Sequence, residues 1–411
     1  MDSAEIKALD AADPLAAKRK LFALPDGQLY LNGNSLGPLP TAVQQRMTEL
    51  IGQEWGIDLV SSWNKHGWID LPTATGEKVA ALIGAAPEQV ICCDSVSINL
   101  FKLLAAALQL NAGRHVVLSQ ADNFPTDLYI AQGLDTLLGK ARCQLQAVSS
   151  ENLLAQLNEN VAVLYLTQVN FRSGAMHDIA ALTAAAHAQG ALVIWDLSHS
   201  VGVTPLELDK WDVDFAVGCG YKFLNGGPGA PAFIYANKAH HDKFQQPLQG
   251  WMGHAEPFAF AEEYEPAGGM AQFLTGTPNI LSLVALHAAL DVFDDIDMAQ
   301  VRTKSVQLSE LFMSLITEHE VLQSLQLESP SNAQSRGSQL AYSHPHAYGI
   351  CQALHARRIA SDFRSPSYLR FGFSPLILSF TDIGKAVATL AEIMREGKHL
   401  DPAYQHRQKV T

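Results

Sequence analysis

The sequence predicts an α/β protein whose mostly parallel sheet is covered by helices on both faces, followed by a smaller C-terminal α+β domain. Three observations carry this. Short apolar runs alternate with segments whose apolar residues recur at helical spacing, the pattern of buried parallel strands joined by crossover helices. An alanine-rich stretch closes on Gly190 and feeds straight into another apolar run. Beyond residue 329 the texture changes to a Ser/Asn-rich loop and short strand-like pieces.

In order along the chain, residues 90–93 and 115–118 read as short buried strands, with a helix over 95–110 between them. Residues 161–169 form a longer strand. A helix over 178–189 ends at Gly190, and the strand after it runs into Asp196. A second apolar run, 213–217, precedes a glycine-rich loop. After Pro278 a long helical pattern covers 279–293 and continues into 298–317; a strand at 368–373 and a helix over 382–395 complete the chain. A chain of 411 residues is too long for one ordinary domain, so two domains sharing a cleft are expected. The boundary falls in the long helical region near 285–300: residues 61–290 form the large domain, 291–411 the small one, and 1–60 a segment that joins the small domain and a dimer interface.

Composition narrows the function. Forty-one acids against 28 Lys plus Arg give a formal charge of −13, and no basic run with interleaved aromatics offsets it, so nucleic acid is not an expected partner. No uninterrupted apolar stretch approaches the ~20 residues of a membrane span. Five cysteines without paired spacing do not form a disulfide framework, and a reducing, cytoplasmic setting is expected.

The chemistry concentrates between Asp196 and Lys222. One apolar run ends on an acid; the next is followed by Tyr221 and Lys222 inside a loop containing Gly218, Gly220, Gly226, Gly227 and Gly229. A carboxylate and a lysine amine at the ends of neighbouring buried strands suit pyridoxal phosphate, which needs an acid at its ring nitrogen and an amine for a Schiff base. The competing readings are a surface lysine and a strand-end acid. The loop lacks the Gly-Lys-Ser/Thr ending of a nucleotide-binding P-loop. Asp196 with His199 would be two ligands of a metal site that has no evident third.

A phosphate needs its own cradle. Residues 94–99 (DSVSIN) lie between a strand and a helix, where free backbone N–H groups and the hydroxyls of Ser95 and Ser97 can meet an anion; an ordinary N-cap is the alternative. In 123–127 (NFPTD), Phe124 offers a face for a pyridine ring and Asp127 an acid, with core packing as the alternative for Phe124.

Seven segments in order then carry a specific resemblance: 30–37 (YLNGNSLG), 62–69 (SWNKHGWI), 123–127, 195–200 (WDLSHS), 218–229 (GCGYKFLNGGPG), 250–254 (GWMGH) and 369–373 (LRFGF). Together they resemble kynureninases of the bacterial type over nearly the whole chain. The resemblance implies the aspartate aminotransferase-like fold of pyridoxal phosphate enzymes and hydrolysis of L-kynurenine to anthranilate and L-alanine, a step of tryptophan degradation. It implies Lys222 as the Schiff-base lysine and the base at the substrate Cα. Asp196 pairs with the ring nitrogen, and His199 supports the ring. Val96 and Ser97 meet the phosphate, Phe124 stacks on the ring within the segment Phe124-Pro125-Thr126-Asp127, and Thr167 contacts the ring hydroxyl region. Tyr221 binds phosphate and assists proton transfer. Trp251 and Thr277 reach the phosphate of the neighbouring subunit of a homodimer. Arg370, with Ser35 and Trp63, binds substrate.

Gly220 departs from relatives that carry Ser or Thr there, which removes one hydroxyl. Trp63 or Trp68 together with Gly276-Thr277, in place of a histidine and a Ser-Asn pair, favours kynurenine over its 3-hydroxy derivative. Two other readings share the scaffold. A cysteine desulfurase or selenocysteine lyase would need a mobile nucleophile, for which Cys351 is the only small-domain candidate, in a segment that reads as a buried helix face. A non-catalytic binding protein would be expected to have lost Lys222, Asp196 or Arg370, and all three are present.

Overall fold

The structure, a computed structural model, describes residues 3–408. Its strands are β1 (Leu29–Tyr30), β2 (Val90–Cys93), β3 (Val116–Gln120), β4 (Gln144–Val148), β5 (Val161–Thr167), β6 (Leu192–Asp196), β7 (Phe215–Cys219), β8 (Ala232–Ala236), β9 (Gln326–Leu327), β10 (Gln339–Ser343), β11 (Ile359–Ala360), β12 (Asp362–Arg364) and β13 (Tyr368–Gly372). Strands β2 to β8 form one seven-stranded sheet in the order β2-β8-β7-β6-β5-β3-β4. Pairings among β3 to β7 are parallel, and β8 runs antiparallel to both neighbours.

This sheet divides the large core into two. Along β5 and β6, Leu164, Leu166, Val193 and Trp195 enter one apolar cluster, whereas Val163, Tyr165 and Ile194 enter the other. That alternation is the period-2 geometry of a strand buried on both faces, and each such side chain contributes ~1.5–3 kcal/mol by leaving water. The strand register sets the site. Thr167 lies opposite Asp196, and Asp196 opposite Val217, so three parallel strands end together at one edge, where open α/β sheets bind ligands.

The helical pattern expected over 279–293 and 298–317 resolves into two helices with a turn between them. Ile280–Ala289 and Met298–Glu318 are separate helices. Between them Asp295 takes φ 56° and Asp297 accepts from Ala299 N at 2.8 Å, capping the second helix. The C-terminal part carries a second, four-stranded antiparallel sheet, β12-β13-β10-β9. Its last helix, Phe380–Arg395, starts with a capping box between Ser379 and Asp382. The N-terminal segment joins it: β1 pairs with β11, and Asp13 makes a buried ion pair with Lys304 at 2.7 Å.

At the end of the sheet away from the strand C-termini, buried Asp214 accepts from Val193 N, His187 Nε2 and His240 Nε2 at 2.8, 2.8 and 2.7 Å. Burial opposes its charge, yet the hydrogen bonds from His187 and His240 hold its carboxyl below the usual range. The bond to Asp214 in turn raises the His187 imidazole. A raised histidine stabilises the fold fully below its unfolded pKa, and that stabilisation fades as pH climbs through the folded value. Asp214→Ala is therefore expected to lower the unfolding free energy by ~3 kcal/mol near pH 6. The deficit should shrink towards pH 8 in urea titrations; a pH-independent deficit would assign the loss to packing.

Candidate active site

At the sheet edge a cavity of about 210 Å³ opens between the helix N-terminus at Val96 and the loop carrying Lys222. Three of the parallel strands, β5, β6 and β7, each feed it a polar side chain or the start of a turn. β5 ends on Thr167, β6 on Asp196 with Ser198 and His199 just after, and β7 on Cys219 with Tyr221 and Lys222 just after; all of these line the cavity. Ser97, Thr126 and Asp127 close it from the two helix starts, with Phe124 and Phe171 as an aromatic wall, ring centroids 5.1 Å apart, edge to face.

The loop geometry behind Lys222 is enforced by glycine. A Cβ on Gly37 would stand 2.2 Å from the Lys222 carbonyl oxygen, and Gly37 N donates to Tyr221 O at 2.8 Å, so the N-terminal segment packs directly on the lysine's backbone. A Cβ on Gly220 would stand 2.5 Å from Pro231 O. Any side chain with a Cβ would require that backbone to shift.

Lys222 Nζ lies 2.9 Å from His199 Nε2, and 5.9 and 5.8 Å from the ring centroids of Phe124 and Tyr221. His199 Nδ1 lies 3.1 Å from Gln339 Oε1. Burial first, then the positive charges of Lys222 and Arg370, hold His199 well below the ordinary histidine value, so the ring is neutral at pH 7. Burial pushes the Tyr221 phenol up, with Cys219 and Asp196 adding to the shift, so Tyr221 keeps its proton.

Two carboxylates share the floor. Asp196 is 3% and Asp127 0% exposed. Asp196 Oδ1 accepts from Ser198 N at 2.8 Å; Asp127 Oδ2 accepts from Thr167 Oγ1 at 3.0 Å, and Thr167 Oγ1 also contacts Asn123 Oδ1. Asp127 Oδ1 is buried with no partner among the described residues. Burial raises both carboxyls above the usual range, and the charge of Asp196 raises Asp127 further. These are acceptors, and a buried cationic N–H aimed at them would satisfy both the charge and the unpartnered oxygen.

Part of the segment 94–99 lies at the cavity. The helix Val96–Leu110 starts at the cavity with Val96 and Ser97; Ser95 caps it by accepting from Ile98 N at 3.5 Å, which leaves first-turn N–H groups for an anion. Asp94 takes φ 49° in the turn before it, held by the fully buried Lys102, whose Nζ is 2.6 Å from Asp94 Oδ2. Pro125 begins the next helix, Pro125–Leu138, and presents Phe124 at the cavity mouth. An anion cradle, an aromatic wall, an amine and two acids in need of a ring cation fit pyridoxal phosphate.

Arg370 is 1% exposed and lies just behind the wall. Its NH1 donates to the Phe171 carbonyl, and its NH2 to Asp362 Oδ2 at 2.7 Å and to Ser35 Oγ at 3.2 Å. Its Nε has no partner among the described residues. Pro125, Ser35 and Arg370 do not line the cavity themselves, and neither do Trp63, Trp251 and Thr277. Trp63 packs edge to face on Trp68 at 5.8 Å, Trp251 stacks on Phe260 at 6.3 Å, and Thr277 is exposed. Among the described residues no group of three His, Cys, Asp or Glu could hold a metal ion.

Residues 301–390 match the family profile described as the kynureninase C-terminal domain. A kynureninase from Deinococcus radiodurans is 47% identical over 96% of this chain and 97% of its own length; one from Pseudomonas fluorescens is 44% identical over 98% of each. The chain belongs to the kynureninase family. Its fold is shared more widely. A cysteine desulfurase from Thermococcus onnurineus superposes with a TM-score of 0.77 over 92% of this chain and 98% of its own, at 18% identity. A variant of the C-DES protein with glycine linked to its pyridoxal phosphate cofactor superposes at 0.76 over 91% and 99%, at 17% identity.

Within this kynureninase-family chain Cys351 is 0% exposed, and burial pushes its thiol up to about 12, the opposite of an activated nucleophile. Sequence reading missed Gln339, Phe171 and Asp362. For Asp362 a signal existed. In a hairpin pairing 364 with 368, residues 362 and 370 must face each other, an acid opposite an arginine. Gln339 and Phe171 left no comparable trace.

Adding pyridoxal phosphate to the apo-protein is expected to produce a visible absorbance band that Lys222→Ala abolishes and Cys351→Ser leaves intact. A band surviving Lys222→Ala would place the imine on another lysine.

Proposed function

We propose that this chain uses pyridoxal 5′-phosphate to hydrolyse L-kynurenine to anthranilate and L-alanine. The observation that carries the reading is Lys222, set in a cavity with two buried acids, in a chain alike to curated kynureninases over nearly its full length. The cofactor supplies an aldehyde for the lysine and an aromatic electron sink. Asp196 and Asp127 hold its ring nitrogen, Val96 and Ser97 its phosphate with Tyr221, Phe124 its face and Thr167 its hydroxyl side.

The remaining work falls to side chains. Lys222, freed by the substrate amine, moves the proton at the substrate Cα. Tyr221, still protonated at neutral pH, donates, while neutral His199 accepts. Water adds to the side-chain ketone, and cleavage of the Cβ–Cγ bond gives anthranilate and alanine. Arg370 and Ser35 hold the substrate carboxylate. Phe124 and Phe171 exclude solvent on one side. Kynurenine is favoured over its 3-hydroxy derivative.

The site is completed in a cytoplasmic homodimer. Supporting this, Trp55, Ile57, Leu59 and Val60 form one exposed apolar stretch, and Trp251, Phe258 and Phe260 another. In the dimer Trp251 and Thr277 contact the partner's cofactor phosphate, and Trp63 belongs to the substrate side. All five cysteines are free and buried, and no helix of the described residues is long and apolar enough to cross a membrane.

Mixing the cofactor-loaded protein with L-kynurenine should release fluorescent anthranilate. Lys222→Ala is expected to cut the rate by about 10³-fold or more. Arg370→Met should raise KM by about tenfold or more. No anthranilate from a visibly loaded protein would refute the substrate assignment.

A further inference from the structure

Gln339, on β10 of the small sheet, is 1% exposed, and both ends of its amide are engaged. Its Nε2 lies 3.2 Å from Asn170 O and 3.1 Å from Phe171 O. Backbone carbonyls only accept, so this end of the amide must be the NH₂ group, and chemistry alone fixes the orientation. The carbonyl end therefore faces His199 Nδ1 and Asn34 Nδ2, each at 3.1 Å. A carbonyl oxygen cannot donate, so His199 Nδ1 carries the hydrogen. The neutral ring then has a single lone pair, on Nε2, 2.9 Å from Lys222 Nζ.

We propose that Gln339 is the positioning residue that sets the His199 tautomer, so that the ring's only basic nitrogen faces Lys222 Nζ. The inference rests on the reading of Lys222 as the cofactor-binding lysine, not on the identity of the substrate. Its consequence is a link between domains. The amide is held by Asn34 of the N-terminal segment, by the 170–171 turn and by its own small-domain strand, whereas His199 and Lys222 belong to the large sheet. The acceptor for the lysine N–H is thus in place only when the small domain is seated.

The test uses two variants. Gln339→Met keeps shape without donor or acceptor; Gln339→Glu keeps an acceptor for Nδ1–H. Imidazole ¹⁵N spectra of the apo-protein, with the His199 signals assigned by their loss in His199→Asn, should show the Nδ1–H tautomer in the wild type and in Gln339→Glu. Gln339→Met should show Nε2–H or a mixture. In the cofactor-loaded protein the pH midpoint of the visible band should fall by about one unit in Gln339→Met, because the protonated nitrogen loses its acceptor, and should not fall in Gln339→Glu. An Nε2–H tautomer in the wild type overturns the proposal even if neither variant folds. So does a Gln339→Met protein with native melting behaviour, unchanged tautomer and unchanged midpoint. A protein with the expected tautomer that yields no anthranilate refutes the substrate reading and leaves this inference standing.

Discussion

Two carboxylates buried in one cavity with a single nearby lysine are the constraint on which the rest of the site depends. Asp196 and Asp127 both lose their water, and Lys222 offsets only part of the cost; each acid is consequently pushed towards holding a proton. A protonated pyridine nitrogen relieves that imbalance better than a bound proton does, because it brings a positive charge and an N–H together. Asp127 Oδ1, buried without a hydrogen-bond partner among the described residues, is an acceptor that the N–H of a cationic ring would satisfy.

The sheet makes the arrangement possible. Parallel strands ending in register put Thr167 and Asp196 side by side, with Lys222 three residues past the end of β7. The same edge receives the N-terminal segment, where Gly37 lies against Lys222, and the four-stranded C-terminal sheet, where Arg370 and Gln339 stand behind the cavity wall. Three regions far apart in sequence thus converge around the cavity that holds Lys222. Their tethers are polar and buried, so misplacing any one of them leaves an unsatisfied group rather than a loose surface contact.

How much of this the sequence discloses follows from the kind of signal each element leaves. Buried parallel strands leave apolar runs, and Asp196 stands out as the acid on which one of them stops. Helix starts leave their cap, as at Ser95. β4, half exposed, lacks such a run, and β8 is an antiparallel strand hidden behind the glycine-rich loop that draws attention to Lys222. Gln339 is the clearest case of illegibility. A glutamine in a strand is unremarkable until its amide is seen between a histidine and two backbone carbonyls about 170 residues away. Arg370 is legible as an arginine in an apolar strand, but its restraint by Asp362 and Ser35 depends on a hairpin register and a distant segment.

In the proposed function the paired acids select a protonated ring nitrogen. That selection is tested most directly by comparing the affinity of the apo-protein for pyridoxal phosphate with that for its 1-deaza analogue, which has a carbon in place of the ring nitrogen but the same aldehyde and phosphate. Leaving the buried acids without their cation should weaken binding by about 100-fold. Equal affinity for the two would mean that the phosphate cradle and Lys222 suffice, and that Asp127 and Asp196 serve some other purpose.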